Sequence, residues 1–196
     1  MKRSFKMKVF ILILTTILIG CTQKQDSTEQ VPQNKNILNF TDFSVSSDST
    51  ELETSVIGTV FLVGKDGVPE HVQIVAMVEI DPDDWGGVAF QIPKQLDISS
   101  IRSSYPEDEN DERAKDYVSV WTNEEEEQNK MIEIGTNRYH PTGSGKGTIV
   151  IEMDINKETI SKSDVFNISV GVGSEEKNGV RSIRPDYEVV EIPMKK

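Results

Sequence analysis

The stretch VQIVAMVEI, residues 72–80, decides the fold of this chain because every second side chain is apolar and polar residues occur only at the positions between them. One face of an extended chain would carry the apolar residues Val72, Ile74, Ala76, Val78 and Ile80. Gln73 and Glu79 would lie on the opposite face. A period of two residues is typical of a β-strand that buries one face. The stretch from Ile149 to Ile155 alternates in the same way and predicts a second such strand.

Working outward from these two stretches, eight more short segments have strand-like composition. They are Ile37 to Val45, Leu52 to Val63, Val88 to Ile92, Ile98 to Ser103, Tyr117 to Thr122, Met131 to Ile134, Phe166 to Val172 and Glu188 to Ile192. No long segment shows the 3.6-residue apolar period of a helix. Around ten short strands predict an all-β, two-sheet β-sandwich of the immunoglobulin-like or jelly-roll type.

Two dipeptides are the best candidates for tight hairpins between these strands. Asp66-Gly67 and Asn178-Gly179 combine residues that tolerate positive φ, as the favoured two-residue hairpin turns require. Asn178-Gly179 would join the segment from Phe166 to Val172 to a strand that starts near Val180.

The first 20 residues have the features of an export signal. Residues 1–8 carry Lys2, Arg3, Lys6 and Lys8 without an acidic residue, and residues 9–19 are almost entirely apolar. An apolar run of about eleven residues is too short to cross ~30 Å of hydrocarbon, which needs roughly 20 residues in a helix. We therefore expect residues 1–20 to be removed after export.

Cys21, the only cysteine of the chain, follows this apolar run directly. The stretch Leu18-Ile19-Gly20-Cys21 resembles the lipobox of bacterial lipoproteins. The resemblance implies that the Cys21 thiol receives a diacylglyceryl group and becomes the first residue of the mature chain. Two acyl chains suffice for a stable membrane anchor, whereas one is marginal. The expected location is the cell membrane, lipid-anchored on its extracytoplasmic face.

Charge and composition divide the rest of the chain. The signal holds four of the 21 Lys and Arg and none of the 33 Asp and Glu, which leaves 17 basic and 33 acidic residues and a mature net charge of −16. Such a surface repels phosphate backbones and argues against nucleic acid as a partner. Residues 21–36 are polar and read as a flexible tether, and residues 37–196 form the predicted β-sandwich domain.

Between residues 52 and 172, the order of the patterns resembles cohesin-like and carbohydrate-binding-module sandwiches. The loop Glu79-Ile80-Asp81-Pro82 precedes a strand at Leu96 to Ser103, and a Gly-rich strand at Lys146 to Ile155 runs into Val165 to Val172. The resemblance is one of rhythm, so it implies a fold and transfers no binding residues.

Residue types for catalysis are few. His71 and His140 are the only histidines, and neither stands in a recognisable relation to a nucleophile or a metal ligand. The chain has no Gly-x-Ser-x-Gly elbow, and residues 140–147 do not complete a Walker A loop. The sequence therefore predicts no catalytic residues and no zinc site.

The loop from Asp81 to Gly87 is the predicted ligand site. Asp81, Asp83 and Asp84 could form a weak Ca²⁺ site if backbone carbonyls completed the coordination. A solvated acidic loop without metal is the alternative. Trp85 in an Asp-Asp-Trp-Gly-Gly turn could contact a sugar, or it could cap the sandwich core, as Trp121 is expected to do.

These observations favour a non-enzymatic binding or interaction module whose partner is an unknown protein or a carbohydrate. Two alternatives stay open at this point. One is a surface hydrolase that uses two carboxylates converging in a cleft. The other is a structural or assembly lipoprotein of the cell envelope that acts through an exposed sheet edge.

Overall fold

The structure, a computed structural model, describes residues 36–107, 117–122, 129–137, 139–157 and 165–194. All ten strands lie in the unit Asn34–Lys196. They are β1 (Asn36–Ser46), β2 (Ser55–Lys65), β3 (Val68–Ile80), β4 (Val88–Pro93), β5 (Leu96–Ser103), β6 (Val118–Thr122), β7 (Asn129–Ile134), β8 (Gly145–Ile155), β9 (Val165–Lys177) and β10 (Val180–Pro193).

The predicted export signal and the lipidation candidate Cys21 lie outside the described residues. Among the residues that are described, no helix has the length and apolar character needed to cross a membrane.

The ten strands form two antiparallel sheets of five, which confirms the predicted all-β, two-sheet class. Sheet A has the strand order β1-β2-β3-β8-β5, and sheet B has the order β10-β9-β4-β7-β6. Their facing side chains form one hydrophobic core. Phe43 of sheet A and Phe90 of sheet B meet edge to face within it, with ring centroids 6.1 Å apart. An aromatic contact of this kind adds about 0.5–1.5 kcal/mol to the effect of burial alone.

Strand β3 buries the face that the alternation predicts. Its five predicted core residues, from Val72 to Ile80, are all buried, and the matching face of β8 is buried beside them. The register sets Ile74 opposite Ile151 and Ala76 opposite Ile149. Burying a large aliphatic side chain contributes roughly 1.5–3 kcal/mol, so the β3–β8 pair forms the centre of sheet A.

Both predicted hairpins are confirmed. Asp66-Gly67 connects β2 to β3 with φ angles of 52° and 78°, and Asn178-Gly179 connects β9 to β10 with φ angles of 54° and 75°. Positive φ at both turn positions matches the right-handed twist of the strands that the turn joins. The turn residues therefore fix the register of two long hairpins.

The first and last strands close one side of the sandwich. The Thr41 hydroxyl of β1 donates to the Glu191 carbonyl oxygen of β10 at 3.2 Å. The Ser44 backbone amide donates to Oε2 of Glu188 at 3.3 Å. We call this contact between β1 and β10 the terminal seam. At this seam, edge strand β1 of sheet A and edge strand β10 of sheet B cover each other.

Candidate ligand-binding surfaces

Asp84, in the loop between β3 and β4, is fully buried. Its Oδ1 accepts hydrogen bonds from the Ser174 hydroxyl at 2.6 Å and the Gly86 backbone amide at 2.7 Å. Its Oδ2 accepts one from the Thr54 hydroxyl at 2.6 Å. Hydrogen bonds to a charged acceptor are short and strong. Asp84 therefore fastens the loop to the start of β2 and to β9 and turns away from solvent.

Asp81 is also engaged within the loop. Its Oδ1 accepts the Asp83 backbone amide at 2.8 Å, and its Oδ2 accepts the Glu53 backbone amide at 2.9 Å. The Thr54 hydroxyl that donates to Asp84 accepts in turn from the Asp81 backbone amide at 3.1 Å. Two of these bonds connect the loop to Glu53 and Thr54, the residues just before β2.

The three carboxylates of the predicted Ca²⁺ site do not converge. Asp84 points into the protein, Asp83 is exposed, and Asp81 binds backbone amides. In the described part of the chain, no group of three or more His, Cys, Asp or Glu is placed to hold a metal ion. The loop that the sequence suggested as a cation site is held instead by hydrogen bonds of Asp81 and Asp84 to neighbouring segments. We call this hydrogen-bond network the brace.

Trp85 is half-buried beside the brace. The guanidinium carbon of Arg181 lies 5.1 Å from the centroid of the Trp85 ring, within range of a cation–π contact. The Trp85 amide donates to the Ser174 hydroxyl at 3.2 Å, and its carbonyl oxygen accepts from the Asn137 amide at 3.0 Å. A sugar stacking on this ring would compete with Arg181, so the role of Trp85 in ligand binding stays a prediction.

An acidic depression of about 400 Å³ lies next to Asp81. The side chains of Glu53, Glu79 and Glu107 line it together with Lys146. Lys146 Nζ forms an ion pair with Glu79 Oε1 at 2.7 Å. The site therefore brings acids from separate loops and strands to one concave surface.

A second concave surface lies on the outer face of sheet B, and we call it the sheet B groove. Its volume is about 510 Å³. Five of its lining residues carry uncharged polar side chains, namely Gln91, Gln95, Asn129, Asn167 and Ser169. The remaining lining residues are Tyr187, Val189, Pro93 and Lys94. Tyr187 is 69% exposed, so its ring is available to a ligand.

Sheet register assembles this groove from distant parts of the chain. Gln91 of β4 lies opposite Ser169 of β9, and Ser169 lies opposite Val189 of β10. Asn129 of β7 lies opposite Pro93 of β4. Sequence reasoning missed the groove because each residue is one ordinary polar position of an alternating strand. The available signal was the run of amide side chains at those outward positions.

The side chain of Arg184 borders the groove on the same outer face. Arg184 has a φ of 54° and sits in an irregularity of β10 between Ile183 and Asp186. A Cβ atom added to Gly171 would lie 3.0 Å from the Arg184 Cβ, so Arg184 packs directly over that glycine. Its Nη2 forms an ion pair with Glu133 of β7. We call this crossing of the sheet the arginine strap.

The side chains of the arginine strap are largely shielded from solvent. The side chains of Arg184 and Glu133 are 12% and 8% exposed, and Nη2 also donates to the Thr136 hydroxyl at 3.3 Å. The Arg184 Nε is buried with no hydrogen-bond partner in the described part of the chain. Ala89, which lies between Gly171 and Glu133 in the ladder, is 2% exposed. Small residues at 89 and 171 leave space for the arginine.

Trp121 does not cap the core as expected. It lies opposite Met131 on β7, and Met131 lies opposite Gln91. Opposite residues of an antiparallel pair share a face, so Trp121 stands on the same outer face as the sheet B groove. The expectation was wrong because a five-residue edge strand alternates in and out, and Val120 takes the position opposite the core residue Ile132.

One titratable group near the brace is perturbed. Burial raises the pKa of Tyr105 to about 12, with smaller contributions from neighbouring Tyr117 and Asp84. Removing the phenol proton would place a charge in an apolar environment, which is unfavourable. Tyr105 is therefore neutral at physiological pH and packs as a core residue.

Comparison with known proteins adds little to this geometry. No protein-family profile matches the chain, and no curated protein matches it at a significant level. One similar solved structure comes from work on pH-induced modulation of Streptococcus parasanguinis adhesion by Fap1 fimbriae. The similarity covers 79% of this chain and 95% of that chain, with 9% identity and a TM-score of 0.32. A similarity at that score supports no conclusion about this chain. Its own strands define it as a two-sheet, all-β sandwich.

Proposed function

We propose that the chain is a lipid-anchored, extracytoplasmic binding module that carries out no reaction itself. The observation that carries the proposal is the sheet B groove, which is concave, open to solvent and lined by amide groups and an exposed tyrosine ring. Amide side chains donate and accept hydrogen bonds but do not ionise at neutral pH. They suit recognition rather than acid–base chemistry.

The anchor in this proposal is Cys21, at the end of the stretch that resembles a lipobox. The polar residues after it would hold the sandwich roughly 20 Å from the lipid, if about fifteen residues behave as a flexible chain. The acidic surface of the domain would not adhere to anionic headgroups. The groove would then be presented to molecules outside the membrane.

The anchor is tested by replacing the thiol. We expect wild-type cells grown with labelled palmitate to label the protein, and Cys21→Ser to lose the label and release the protein into the medium. Thr22→Ser is the matched control, because it changes a neighbouring side chain and leaves the thiol in place. Label retained in Cys21→Ser would overturn the anchor.

The acidic depression favours a second candidate, the carboxylate-based hydrolase. Glycoside hydrolysis needs one carboxyl as acid and another as base or nucleophile, and the depression gathers Glu53, Glu79, Asp81 and Glu107. Two of these are already engaged, since Asp81 accepts backbone amides and Glu79 pairs with Lys146. Prolonged incubation with a polysaccharide separates the candidates, because a hydrolase shortens the polymer and a binding module returns it intact.

The sheet edges give less support to an assembly role through strand addition. In the described sheets, β1 and β10 cover each other along the terminal seam. Edge strand β6 has five residues, and edge strand β5 has a register irregularity between Ile98 and Ser100. Short and irregular edges are common protections against pairing with another chain.

A further inference from the structure

We propose that the sheet B groove binds a neutral oligosaccharide chain, with the Tyr187 ring as its apolar platform. This inference rests on the proposed function, because it names the ligand class of that binding module. It does not use the predicted loop site at Trp85, whose ring already contacts Arg181.

The hydrogen-bonding groups of the groove match a sugar. Each hydroxyl of a sugar is both donor and acceptor, and so is each amide side chain, which presents an oxygen and an NH₂ group in one plane. Gln91, Gln95, Asn129 and Asn167 bring four such amides to one surface, and Ser169 adds a hydroxyl. A ligand dense in neutral hydroxyls can satisfy these groups without introducing a charge.

The groove carries fewer charged residues than the chain as a whole. Charged residues make up 28% of the chain, and its net charge is −12. Among the described residues that line the groove, Lys94 is the single charged one and none carries a carboxylate. A polyanion would need several basic groups, and a cationic ligand would need acidic ones. The electrostatics therefore favour a neutral ligand.

Tyr187 supplies the apolar contact. Its ring is 69% exposed, and it lies opposite Gly171, beside the arginine strap. Aromatic rings offer a large contact area at low conformational-entropy cost, because only two side-chain torsions must be fixed. The C–H face of a pyranose ring could pack on this surface while its hydroxyls reach the amides.

The dimensions of the groove fit a chain rather than one sugar. From Asn129 on β7 to Tyr187 on β10 the groove crosses β4 and β9. Three strand spacings of about 4.8 Å span roughly 14 Å. The volume of about 510 Å³ falls within the range of ~300–1,000 Å³ that is usual for small-ligand sites. We infer that a short oligosaccharide lies across the strands.

The test is calorimetric titration of the full chain, purified in detergent, with cello-, malto-, manno-, xylo- and chitohexaose. We expect saturable binding of at least one of them. For that sugar, Tyr187→Ala should weaken binding at least ~10-fold, equivalent to about 1.4 kcal/mol, and Asn167→Ala should weaken it as well. Tyr187→Phe should bind within about threefold of wild type, because the ring is kept.

Tyr139→Ala is the matched control. Tyr139 is 86% exposed and does not line the groove, so its loss should leave binding unchanged. Thermal melting of each variant verifies that the fold is retained. Three results would overturn the proposal: no binding of any of the five sugars, equal binding by Tyr187→Ala and wild type, or tighter binding of an oligogalacturonate or an extended peptide.

The two proposals fail in different ways. If Cys21 is labelled with palmitate but no sugar binds, the anchored module stands and the ligand class is wrong. If a sugar binds with the expected dependence on Tyr187 but Cys21 is not labelled, the groove stands and the anchor is wrong. If bound sugars are cut, the proposal of a non-enzymatic module is wrong.

Discussion

Asp83 and Asp84 are adjacent and chemically identical, but their environments differ completely. Asp83 is exposed at the tip of the β3–β4 loop, whereas Asp84 is fully buried and accepts three hydrogen bonds. Its donors come from β9, from the loop itself and from the residue before β2. A buried carboxylate that is fully hydrogen-bonded can stabilise a loop. If the carboxylate is removed, its buried hydrogen-bond donors are left without an acceptor and lower the stability of the fold.

This contrast gives a prediction at the residue scale. Asp84→Ala should lower the free energy of unfolding by about 3–5 kcal/mol, because the hydroxyls of Thr54 and Ser174 and the Gly86 amide would lose their acceptor. Asp83→Ala, the matched control, should change it by less than about 0.5 kcal/mol. Urea unfolding followed by tryptophan fluorescence measures both. Equal effects of the two substitutions would contradict the brace.

The sequence could place these residues in a loop but could not separate them. The turn chemistry of Asp81 to Gly87 is local and readable. The partners of Asp84 are not, since Thr54 and Ser174 lie 30 and 90 positions away. The same limit applies to Tyr187 and Gln91, which no local pattern marks as neighbours on one surface.

At the scale of elements, two glycines with positive φ show different constraints. Gly67 in the β2–β3 hairpin has a φ of 78°, and a Cβ added there would meet nothing within 4 Å. Gly87, just before β4, has a φ of 59°, and its added Cβ would lie 2.2 Å from the Ile134 carbonyl oxygen. The first position needs only conformational freedom, while the second also needs the absence of a side chain.

We therefore expect the two alanine variants to differ. Gly67→Ala should cost about 1–2 kcal/mol, because an L-residue disfavours the left-handed conformation. Gly87→Ala should cost at least ~2 kcal/mol more, since β4 or β7 would have to move to relieve the overlap with backbone. Paired urea unfolding curves measure the difference. Similar costs would show that the start of β4 can shift freely.

Element lengths show where alternation is an adequate guide. The strand predicted from Glu188 to Ile192 extends in the structure from Val180 to Pro193. A strand starting near Val180 was predicted as well, but the two segments were not joined into one because Arg184 and Pro185 interrupt the pattern between them, where the ladder has its irregularity. Proline has no amide hydrogen to donate, so it fits a bulge better than a regular strand position. The arginine strap could not be predicted, because its partner Glu133 belongs to a strand 51 positions away.

At the scale of the whole molecule, the excess of acidic residues opposes the folded state. A net charge of −12 produces self-repulsion that compaction increases. Salt bridges such as Arg102–Glu152 and Lys146–Glu79 are exposed, and such pairs contribute about 0–1 kcal/mol each. Added salt should therefore weaken the repulsion among the acidic residues more than it weakens the attraction within the exposed salt bridges.

The corresponding prediction concerns ionic strength. Raising NaCl from about 10 mM to about 200 mM should increase the free energy of unfolding in urea by about 0.5–1 kcal/mol, because the Debye length falls from ~30 Å to below ~10 Å. KCl should act identically at equal ionic strength, which controls for effects specific to one salt. A fall in stability with added salt would mean that attractive pairs dominate the surface.

The class of the fold followed from sequence, but the order of strands within each sheet did not. Alternation and turn chemistry identify ten strands and two hairpins, because both signals are local. Placing β8 between β3 and β5, or β4 beside β9, depends on pairings between segments far apart in the chain. The location of the sheet B groove depends on those pairings as well.

The terminal seam sets the moment at which this domain can finish folding. Strand β10 is the last strand described, yet it adds Val190 and Ile192 to the core and covers the edge formed by β1. Until β10 has been synthesised, β1 has no partner across the seam and the core lacks two of its aliphatic side chains. Folding of this domain can therefore finish only after its last described strand is available.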